Sequence, residues 1–305
     1  MPPEIPRDDD SFRPHDRYLR ALAYRMLGSR AEAEDVVQDT WLRWQGADRS
    51  EVENPRAFLS RVATHLCLDR LQSARQRREQ YVGTWLPEPL VDESQAWHPG
   101  PDVATEYAQD VSMAFMLMLE RLSPLERAAF LLHDVFDLDF DEVGARLQRS
   151  SAACRQLASR ARQHLKSGQA RSEVAAGEGR RLLQAFAAAL AQGDVEALAR
   201  TLAEDARFVS DGGGVVAAVP RPLIGAVRIA KALVGFARLA DPGRHRVVPA
   251  EINGMPGWLM YDALDGSPVQ TLAIEPGPEG RIAAVYVVRN PDKLRHLKRS
   301  PELGV

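Results

Sequence analysis

The apolar positions in the first part of the chain recur at helical spacing. Tyr18, Leu22 and Met26 fall on one face of a helix, because they are separated by four residues each. A short break follows at Gly28-Ser29. Two further amphipathic helices are predicted, one over 30–44 and one over 56–78.

Three more helices are predicted between residues 121 and 166. The run Ser123-Pro124-Leu125-Glu126 combines a hydroxyl N-cap, a Pro at the first helical position and a Glu that completes a capping box. Asp139, followed three residues later by a Glu, repeats the signal for a short second helix. A break at Arg149-Ser150 precedes the third. This spacing is typical of a helix-turn-helix, in which a short helix supports a longer one in the DNA major groove.

The pattern changes again after residue 178. Two helices and a strand are predicted over 178–211, and one more helix over 221–240. The remaining stretches alternate as strands do and are separated by turns rich in Gly, Pro and Asp. Helices followed by an antiparallel sheet indicate an α+β cone. The strand candidates are 246–252, 258–264, 269–276 and 282–290.

Length and composition allow several domains and reveal no metal or cofactor motif. A chain of 305 residues is long enough for two or three domains, and its net charge is only −3. Cys67 and Cys154 are far apart, each inside a predicted helix, so we expect small apolar packing residues rather than a disulfide or a zinc site. The polar, acidic start and the lack of a long apolar run predict a cytoplasmic protein. We expect no catalytic residue, metal or cofactor.

Charge is segregated along the chain. From Val143 to Ser172 there is no Asp or Glu, while basic residues recur throughout. A helix without acids has a natural partner in phosphate, so this stretch is a candidate DNA-binding element that includes Arg160. The alternative is a solvent-facing basic surface on an ordinary helical bundle.

The predicted helix over 56–78 is a second basic element. Its apolar side chains leave a surface of guanidiniums, amides and a histidine, which can bind phosphates and meet bases. The candidate residues are Arg61, His65, Arg75, Arg77 and Arg78.

The two basic elements are joined by a stretch, 79–120, that contains no Lys or Arg. Its first part is rich in Pro and turn residues, which is typical of a linker. It is either a spacer or a nucleic-acid mimic that lies in a positively charged channel, and sequence alone favours the spacer. Trp85 and Trp97 are unusual for a bare spacer and suggest a docked segment.

Two parts of the chain resemble regions 2 and 4 of extracytoplasmic-function (ECF) sigma factors. The resemblance to region 2 lies in AEAEDVVQDTWLRW followed by NPRAFLSRVATHLCLDRLQSARQRR. The resemblance to region 4 lies in LSPLERAAFLLHDVFDLDFDEVGARLQRSSAACRQLASRARQHL. The resemblance implies that region 2 binds the polymerase clamp helices and melts the −10 element. Region 4 would bind the polymerase flap and read the −35 element as a duplex, and the linker would thread the polymerase cleft.

The same resemblance assigns roles to individual residues. Asp35, Gln38 and Asp39 match the clamp-binding helix. His65 stands where many relatives carry Asn in the helix that holds a flipped −10 base, which leaves the base preference open; a merely packed or solvent-facing histidine is the alternative. The residues that match the DNA-facing start of the recognition helix are Arg149, Ser150, Ser151, Arg155 and Gln156.

The C-terminal part resembles the SnoaL-like fold, and DGGG, NPDKL and WLPEP resemble motifs of ECF factors that carry such a domain. We expect the first two motifs to contact the sigma modules and to regulate them, with Asp292, Lys293 and Arg295 exposed. The alternative is that both motifs are only turns. The residues are Asp211, Gly212, Gly213 and Gly214 in the first motif and Asn290, Pro291, Asp292, Lys293 and Leu294 in the second.

Enzymes of the SnoaL-like fold place a carboxylate and a His or Tyr inside the cone. The candidates here are Asp211, His245 and Tyr261, none at a diagnostic spacing. Turn and surface positions account for them better, and three glycines after Asp211 indicate a tight loop.

The sequence therefore predicts a multidomain protein with two all-α helical domains, sigma region 2 and the region 4 helix-turn-helix, followed by an α+β SnoaL-like cone. The predicted order is a disordered tail (1–11), region 2 (12–80), an acidic linker (81–112), region 4 (113–170) and the cone (178–298). The predicted function is that of a sigma factor regulated by its own cone, with core RNA polymerase and promoter DNA as partners. Two alternatives are a one-component regulator with a small-molecule ligand in the cone, and an isomerase or cyclase fused to DNA-binding helices.

Overall fold

A computed structural model describes residues 11–79, 81–92, 94–99, 103, 110–166, 176–241 and 243–298. The chain forms two compact units. The N-terminal unit consists of Met1–Glu79, Gln95–Val111 and Phe115–Gln169, and the C-terminal unit of Gln80–Ser94, Ser112–Ala114 and Ala170–Val305. The domain boundaries given above stay predictions.

Three helices open the N-terminal unit and confirm the first predicted pattern. Their bounds are Arg13–Leu27 for α1, Arg30–Gln45 for α2 and Pro55–Glu79 for α3. Gly28 ends α1 in the left-handed conformation, and the Ser29 hydroxyl caps α2 by accepting from the Glu32 amide.

The predicted helix-turn-helix is also present. It follows a short helix, α4, which was not predicted, and both predicted capping boxes, at Ser123 and Asp139, are formed. Gly144 lets the turn close, because a Cβ there would lie 2.7 Å from the Arg149 carbonyl oxygen. The bounds are Met113–Leu119 for α4, Pro124–Phe130 for α5 with a π-helical turn over Leu131–Val135, Phe140–Leu147 for α6 and Ser151–Lys166 for α7.

Within the N-terminal unit, the region 4 helices pack on the region 2 helices through two buried arginines. Arg127 of α5 is 2 % exposed and donates to the Met26 carbonyl oxygen at 2.6 Å and to the Glu120 carboxylate at 2.8 Å. Arg146 of α6 donates to the Ser60 hydroxyl of α3 at 3.2 Å. Burial lowers the pKa of Arg127 to about 9. Both side chains therefore join the two regions instead of facing solvent.

The part of the predicted linker around Trp97 contacts α1 of the N-terminal unit. The carbonyl oxygens of Trp97 and His98 accept hydrogen bonds from Arg25 and Arg17 of α1, both at 2.8 Å. The Trp97 ring packs on Tyr24 with a centroid distance of 5.2 Å. Trp97 and His98 are thus docked on region 2, as the tryptophan at position 97 suggested.

The C-terminal unit is a curved six-stranded sheet with helices on one face. The strand order is β2-β1-β6-β5-β4-β3; β1 and β6 are parallel and the other neighbours antiparallel. All four strand candidates are confirmed. The expectation of an antiparallel sheet is wrong for the β1–β6 pair, and residues 223–224, predicted as part of a helix, form a strand that pairs with β1. The bounds are Ala176–Gln192 for α8, Val195–Arg200 for α9, Leu202–Asp211 for β1, Leu223–Ile224 for β2, Ala226–Leu239 for α10, His245–Ile252 for β3, Met255–Asp262 for β4, Pro268–Pro276 for β5, Ile282–Val288 for β6 and Pro291–Leu294 for α11.

Both faces of the central strands are buried. The helical face is covered by an apolar core that includes Phe186, Ile229 and Trp258. On the opposite face, Ala273 of β5 and Tyr286 of β6 lie in one register row and are also buried. The edge strand β3 is more exposed, with Val247 49 % exposed.

No helix in the described part of the chain is long and apolar enough to cross a membrane.

We predict that Arg127→Met destabilises the N-terminal unit by about 3 kcal/mol, because it leaves the Glu120 carboxylate and the Met26 carbonyl without their buried donor. The measurement is urea unfolding of the full chain followed by circular dichroism. The neighbouring exposed residue provides the control, Arg121→Met. Equal unfolding midpoints for the two variants would show that the buried contact contributes nothing.

Candidate promoter-binding, polymerase-binding and linker-binding sites

The exposed face of α7 carries most of the residues predicted to read DNA. Arg155, Gln156 and Arg160 are exposed on the helix, and Arg149 and Ser150 are exposed just before it. The Ser150 hydroxyl also accepts from the Ala153 amide at 3.2 Å, and so caps α7. Ser151 is half-buried, and its hydroxyl bonds to the Asp141 carboxylate.

The arginines of α7 differ in how they are held. Arg160 lies 3.2 Å from the Glu126 carboxylate, and Arg162 lies 2.6 Å from that of Asp134. Part of the positive charge seen in the sequence is thus paired inside region 4. Arg155 instead places its guanidinium over the Phe140 ring.

The second basic surface lies on α3. Arg61 is exposed and stacks over the Phe58 ring, and His65 is half-buried one turn further on. Arg75, Arg77 and Arg78 belong to the same helix, but their side chains lie outside the described residues.

The acidic face of α2 is held by an arginine of α3. Arg70 lies 2.7 Å from the Asp39 carboxylate and 3.7 Å from that of Asp35. The Asp35 side chain is still 64 % exposed, and Gln38 is half-buried beside it. The face therefore offers carboxylates to a basic partner, although Arg70 offsets part of their charge.

In the C-terminal unit, a buried carboxylate collects the predicted motifs and part of the linker. Asp211 ends β1 and is 0 % exposed. Its oxygens accept from the Tyr81 hydroxyl at 2.6 Å, the Leu86 amide at 2.9 Å, the Gly213 amide at 2.9 Å and the Lys293 ammonium at 2.6 Å. Two of the four donors come from the linker.

Lys293 completes this arrangement from the other motif. It is 7 % exposed, so the prediction that it lies exposed is wrong, whereas Asp292 and Arg295 are exposed as predicted. Its ammonium also donates to the Leu86 carbonyl and lies 4.3 Å from the centre of the Trp85 ring. The local sequence suggested exposure because the charge that pairs with it lies 82 residues away.

Asn290 and the glycine loop fix the position of Tyr81. The Asn290 amide donates to the Tyr81 hydroxyl at 2.8 Å, while its oxygen caps α11 through the Asp292 amide. Gly213 has φ +66°, and a Cβ there would lie 2.4 Å from Asn290, so this position requires glycine. Burial and the adjacent Asp211 carboxylate raise the pKa of Tyr81, which stays a neutral donor.

A second set of contacts holds the linker further along. Asn253 lies in the turn between β3 and β4. Its side-chain oxygen accepts from the Leu90 backbone amide at 2.9 Å, and its backbone amide donates to the Leu90 carbonyl at 2.8 Å. Val91 forms an antiparallel bridge with Ile252, and the His296 ring donates to the Pro89 carbonyl at 3.0 Å. Residues 81–92, called the linker segment below, are therefore docked along the C-terminal unit.

Part of this site could be identified from the sequence. Asp211, Gly213, Asn290 and Lys293 were predicted, and the structure brings them together. Asp211, Asn290 and Lys293 contact the linker segment, whereas the prediction was contact with the sigma modules. Leu294 is buried and Pro291 exposed. Tyr81, Asn253 and His296 were missed; Asn253-Gly254 reads only as a hairpin turn, and nothing local marks the other two.

The three enzyme candidates are not brought together. Tyr261 lies on β4, three strands from Asp211 on β1, which is roughly 14 Å at the usual strand spacing. His245 begins β3, one strand further, where it pairs with Asp262. The expectation of turn and surface positions is wrong for Asp211 and Tyr261, which are buried on strands. Asp211 itself is engaged by the linker segment.

Comparison with known proteins identifies the family of the chain. Residues 12–78 match Sigma-70 region 2, and residues 112–165 match Sigma-70, region 4. The ECF RNA polymerase sigma factor SigJ of Mycobacterium tuberculosis is 36 % identical over 290 residues, which cover 91 % of this chain and 90 % of SigJ. The probable ECF RNA polymerase sigma factor SigI of the same organism is 30 % identical over 96 % of both chains.

The crystal structure of Mycobacterium tuberculosis SigJ superposes with a TM-score of 0.72 at 33 % identity and covers 93 % of this chain and 97 % of that one. The similarity therefore extends beyond the two sigma regions into the C-terminal unit. The chain belongs to the ECF RNA polymerase sigma factors and carries a C-terminal α+β domain, which SigJ shares.

Proposed function

We propose that this sigma factor is restrained in its free form by two internal contacts, one between regions 2 and 4 and one between the linker segment and the C-terminal unit. As a sigma factor it binds core RNA polymerase and directs it to promoter DNA. The observation that carries the proposal is the Asp211 carboxylate, which is buried and receives two of its four donors from the linker segment.

The roles of individual residues follow from charge and exposure. Arg155 and Gln156 are exposed on the acid-free α7, where an arginine can bind guanine and a glutamine adenine through paired hydrogen bonds. The α3 surface with Arg61 and His65 is assigned to the −10 element. Asp35 and Asp39 are assigned to the polymerase, because carboxylates repel phosphate and suit a basic protein surface.

Regions 2 and 4 must separate before both promoter elements can be read. The −10 and −35 elements are about 25 base pairs apart, which is roughly 85 Å along the duplex at ~3.4 Å per pair. A compact unit of roughly 150 residues is only about 40 Å across. Because Arg127 and Arg146 hold the two regions in direct contact, the free arrangement cannot span the promoter.

The linker segment must be released as well. Resemblance to the family implies that the linker threads the polymerase cleft, and a segment hydrogen-bonded along the C-terminal unit is not available to do so. The Lys293 ammonium donates to the Asp211 carboxylate and to the Leu86 carbonyl, so it binds the linker directly and also fixes the carboxylate that receives the linker donors. The C-terminal unit thereby acts as an inhibitor attached to its own target.

The two alternative functions predict different behaviour of the purified protein. A one-component regulator binds its operator without polymerase, and an isomerase or cyclase turns over a substrate. Matches to both sigma regions disfavour the first, and the separation of Asp211, His245 and Tyr261 disfavours the second.

We predict that Asp35→Lys lowers affinity for core polymerase by roughly tenfold or more, because a like charge facing a basic surface costs several kcal/mol. Asp39→Lys should also lower the affinity for core polymerase, and it removes the ion pair with Arg70 as well. Affinity is measured by titrating labelled protein with core enzyme. The control is Glu53→Lys, an exposed acid in the loop between α2 and α3. Equal affinities for Asp35→Lys and this control would remove the polymerase role of the α2 face.

We predict that Asp211→Asn increases transcription roughly fivefold or more when core polymerase is limiting. The substitution keeps the size of the side chain but leaves Lys293 without its buried carboxylate, and so weakens the hold on the linker segment. Asp292→Asn is the matched control, since Asp292 lies exposed in the neighbouring motif. Removal of all residues after Asn290, which takes away Lys293 and His296, should act like Asp211→Asn.

Hydrogen exchange of the linker amides shows whether the linker segment is docked, independently of whether docking limits transcription. Exchange at Leu86 and Leu90 should rise in Asp211→Asn and not in Asp292→Asn. Unchanged exchange would contradict the assigned contacts, while faster exchange without a gain in transcription would show that docking does not control activity.

A further inference from the structure

Three side chains form a stack beside the recognition helix. The rings of His133 and Phe140 lie 3.9 Å apart, centroid to centroid, with an interplanar angle of 29°. The Arg155 guanidinium lies 5.5 Å from the centre of the same Phe140 ring. The members come from three consecutive pieces of region 4: the π-helical turn, the start of α6 and the DNA-facing side of α7.

Local structure fixes the two rings of this stack. The Asp139 capping box places Phe140 at the first position of α6. The His133 ring donates through Nδ1 to the Leu138 carbonyl at 2.7 Å, which sets the ring plane. The π-helical turn over Leu131–Val135 carries His133 toward α6. Phe140 is thus stacked on one side by His133, and its ring also contacts Arg155 of α7.

Arg155 is held differently from the other arginines of its helix. Arg160 and Arg162 are paired with carboxylates. In the described part of region 4, Arg155 forms no ion pair, and its recorded contact is the Phe140 ring. An aromatic face restricts the guanidinium without using its five N–H donors, so they stay available for a ligand.

We propose that Phe140, stacked on His133, is a positioning residue for −35 recognition: it holds the Arg155 guanidinium in the orientation that binds a guanine edge. This inference rests on the proposed reading of DNA by α7 and names the residue that sets its geometry. Guanine is recognised through O6 and N7 by two parallel N–H donors of one arginine. A long, exposed side chain loses less freedom on binding when a neighbouring ring already restricts it.

The experiment is a double-mutant cycle in the full-length protein bound to core polymerase. A library with a randomised −35 element first gives the preferred sequence of the wild type. Discrimination is then the ratio of affinities for the preferred promoter and for one changed at the base that Arg155→Ala affects most. The other variants are Phe140→Leu, which keeps an apolar side chain, Phe140→Tyr, which keeps the ring face, and Phe140→Leu combined with Arg155→Ala.

We expect Phe140→Leu to lower discrimination about two- to fivefold, the value of an exposed cation–π contact converted to a ratio. Phe140→Tyr should retain wild-type discrimination. In the Arg155→Ala background, Phe140→Leu should lower it no further. A merely structural role would lower affinity in both backgrounds alike. Thermal unfolding of each variant monitors region 4. Phe140→Met, an unbranched apolar side chain that adapts to irregular gaps, replaces Phe140→Leu if that variant loses helicity.

Each other outcome overturns a defined part of the argument. Phe140→Leu could lower discrimination equally in both backgrounds, or leave it unchanged in the wild-type background. Either result excludes a positioning role for Phe140 and leaves the reading of the −35 element by Arg155 intact. If Arg155→Ala lowers affinity for all −35 sequences equally, Arg155 binds only phosphate; the proposed reading by this residue then fails, and the role of Phe140 fails with it.

Discussion

The C-terminal unit depends on one buried charge, the carboxylate of Asp211. An ionised group without solvent is stable only when it is fully paired and hydrogen-bonded. Here the glycine loop supplies one amide, the NPDKL motif supplies the Lys293 ammonium, and the linker supplies the Tyr81 hydroxyl and the Leu86 amide. The motifs therefore belong to one site, and the site is complete only when the linker segment is docked.

This dependence connects the C-terminal unit to the linker between the two sigma regions. Undocking the linker removes two donors from a buried carboxylate, which favours the docked state. The linker is part of the same chain, so its local concentration is high and individually modest hydrogen bonds suffice to hold it. In the proposed function, core polymerase supplies the binding free energy that undocks the linker and breaks the Arg127 and Arg146 contacts between regions 2 and 4. The two restraints would then set a threshold for activation without a separate inhibitor.

Local patterns predicted the secondary structure better than the site. Capping boxes at Ser123 and Asp139, helical stripes and strand alternation depend on neighbours within a few residues, and the structure confirms them. Lys293 was expected in solvent because its partner Asp211 is distant in sequence, and Tyr81 was missed because its partners lie 130 and 209 residues away. Arg127 and Arg146 look like surface charges in the sequence. In the structure they are buried between helices of regions 2 and 4, and nothing in the local sequence predicts that these helices contact each other. The site residues found in advance were those of the DGGG and NPDKL motifs, which were selected by their resemblance to the family.

The central claim, that the linker segment must leave the C-terminal unit for transcription to begin, can be tested with a reversible covalent lock. Val91 and Ile252 form a bridge flanked by the bonds from the Asp92 amide to Glu251 and from the Asn253 amide to Leu90. This is a non-hydrogen-bonded antiparallel pair, whose Cα atoms lie about 4.5 Å apart and suit a disulfide. The native Cys67 and Cys154 are buried and can stay in place. The measurement is transcript formation by core polymerase with Val91→Cys/Ile252→Cys, oxidised and then reduced, beside the two single variants. The account predicts that oxidation abolishes initiation and that reduction restores it, with no redox effect in the single variants. Equal transcription by the oxidised and reduced protein would contradict it.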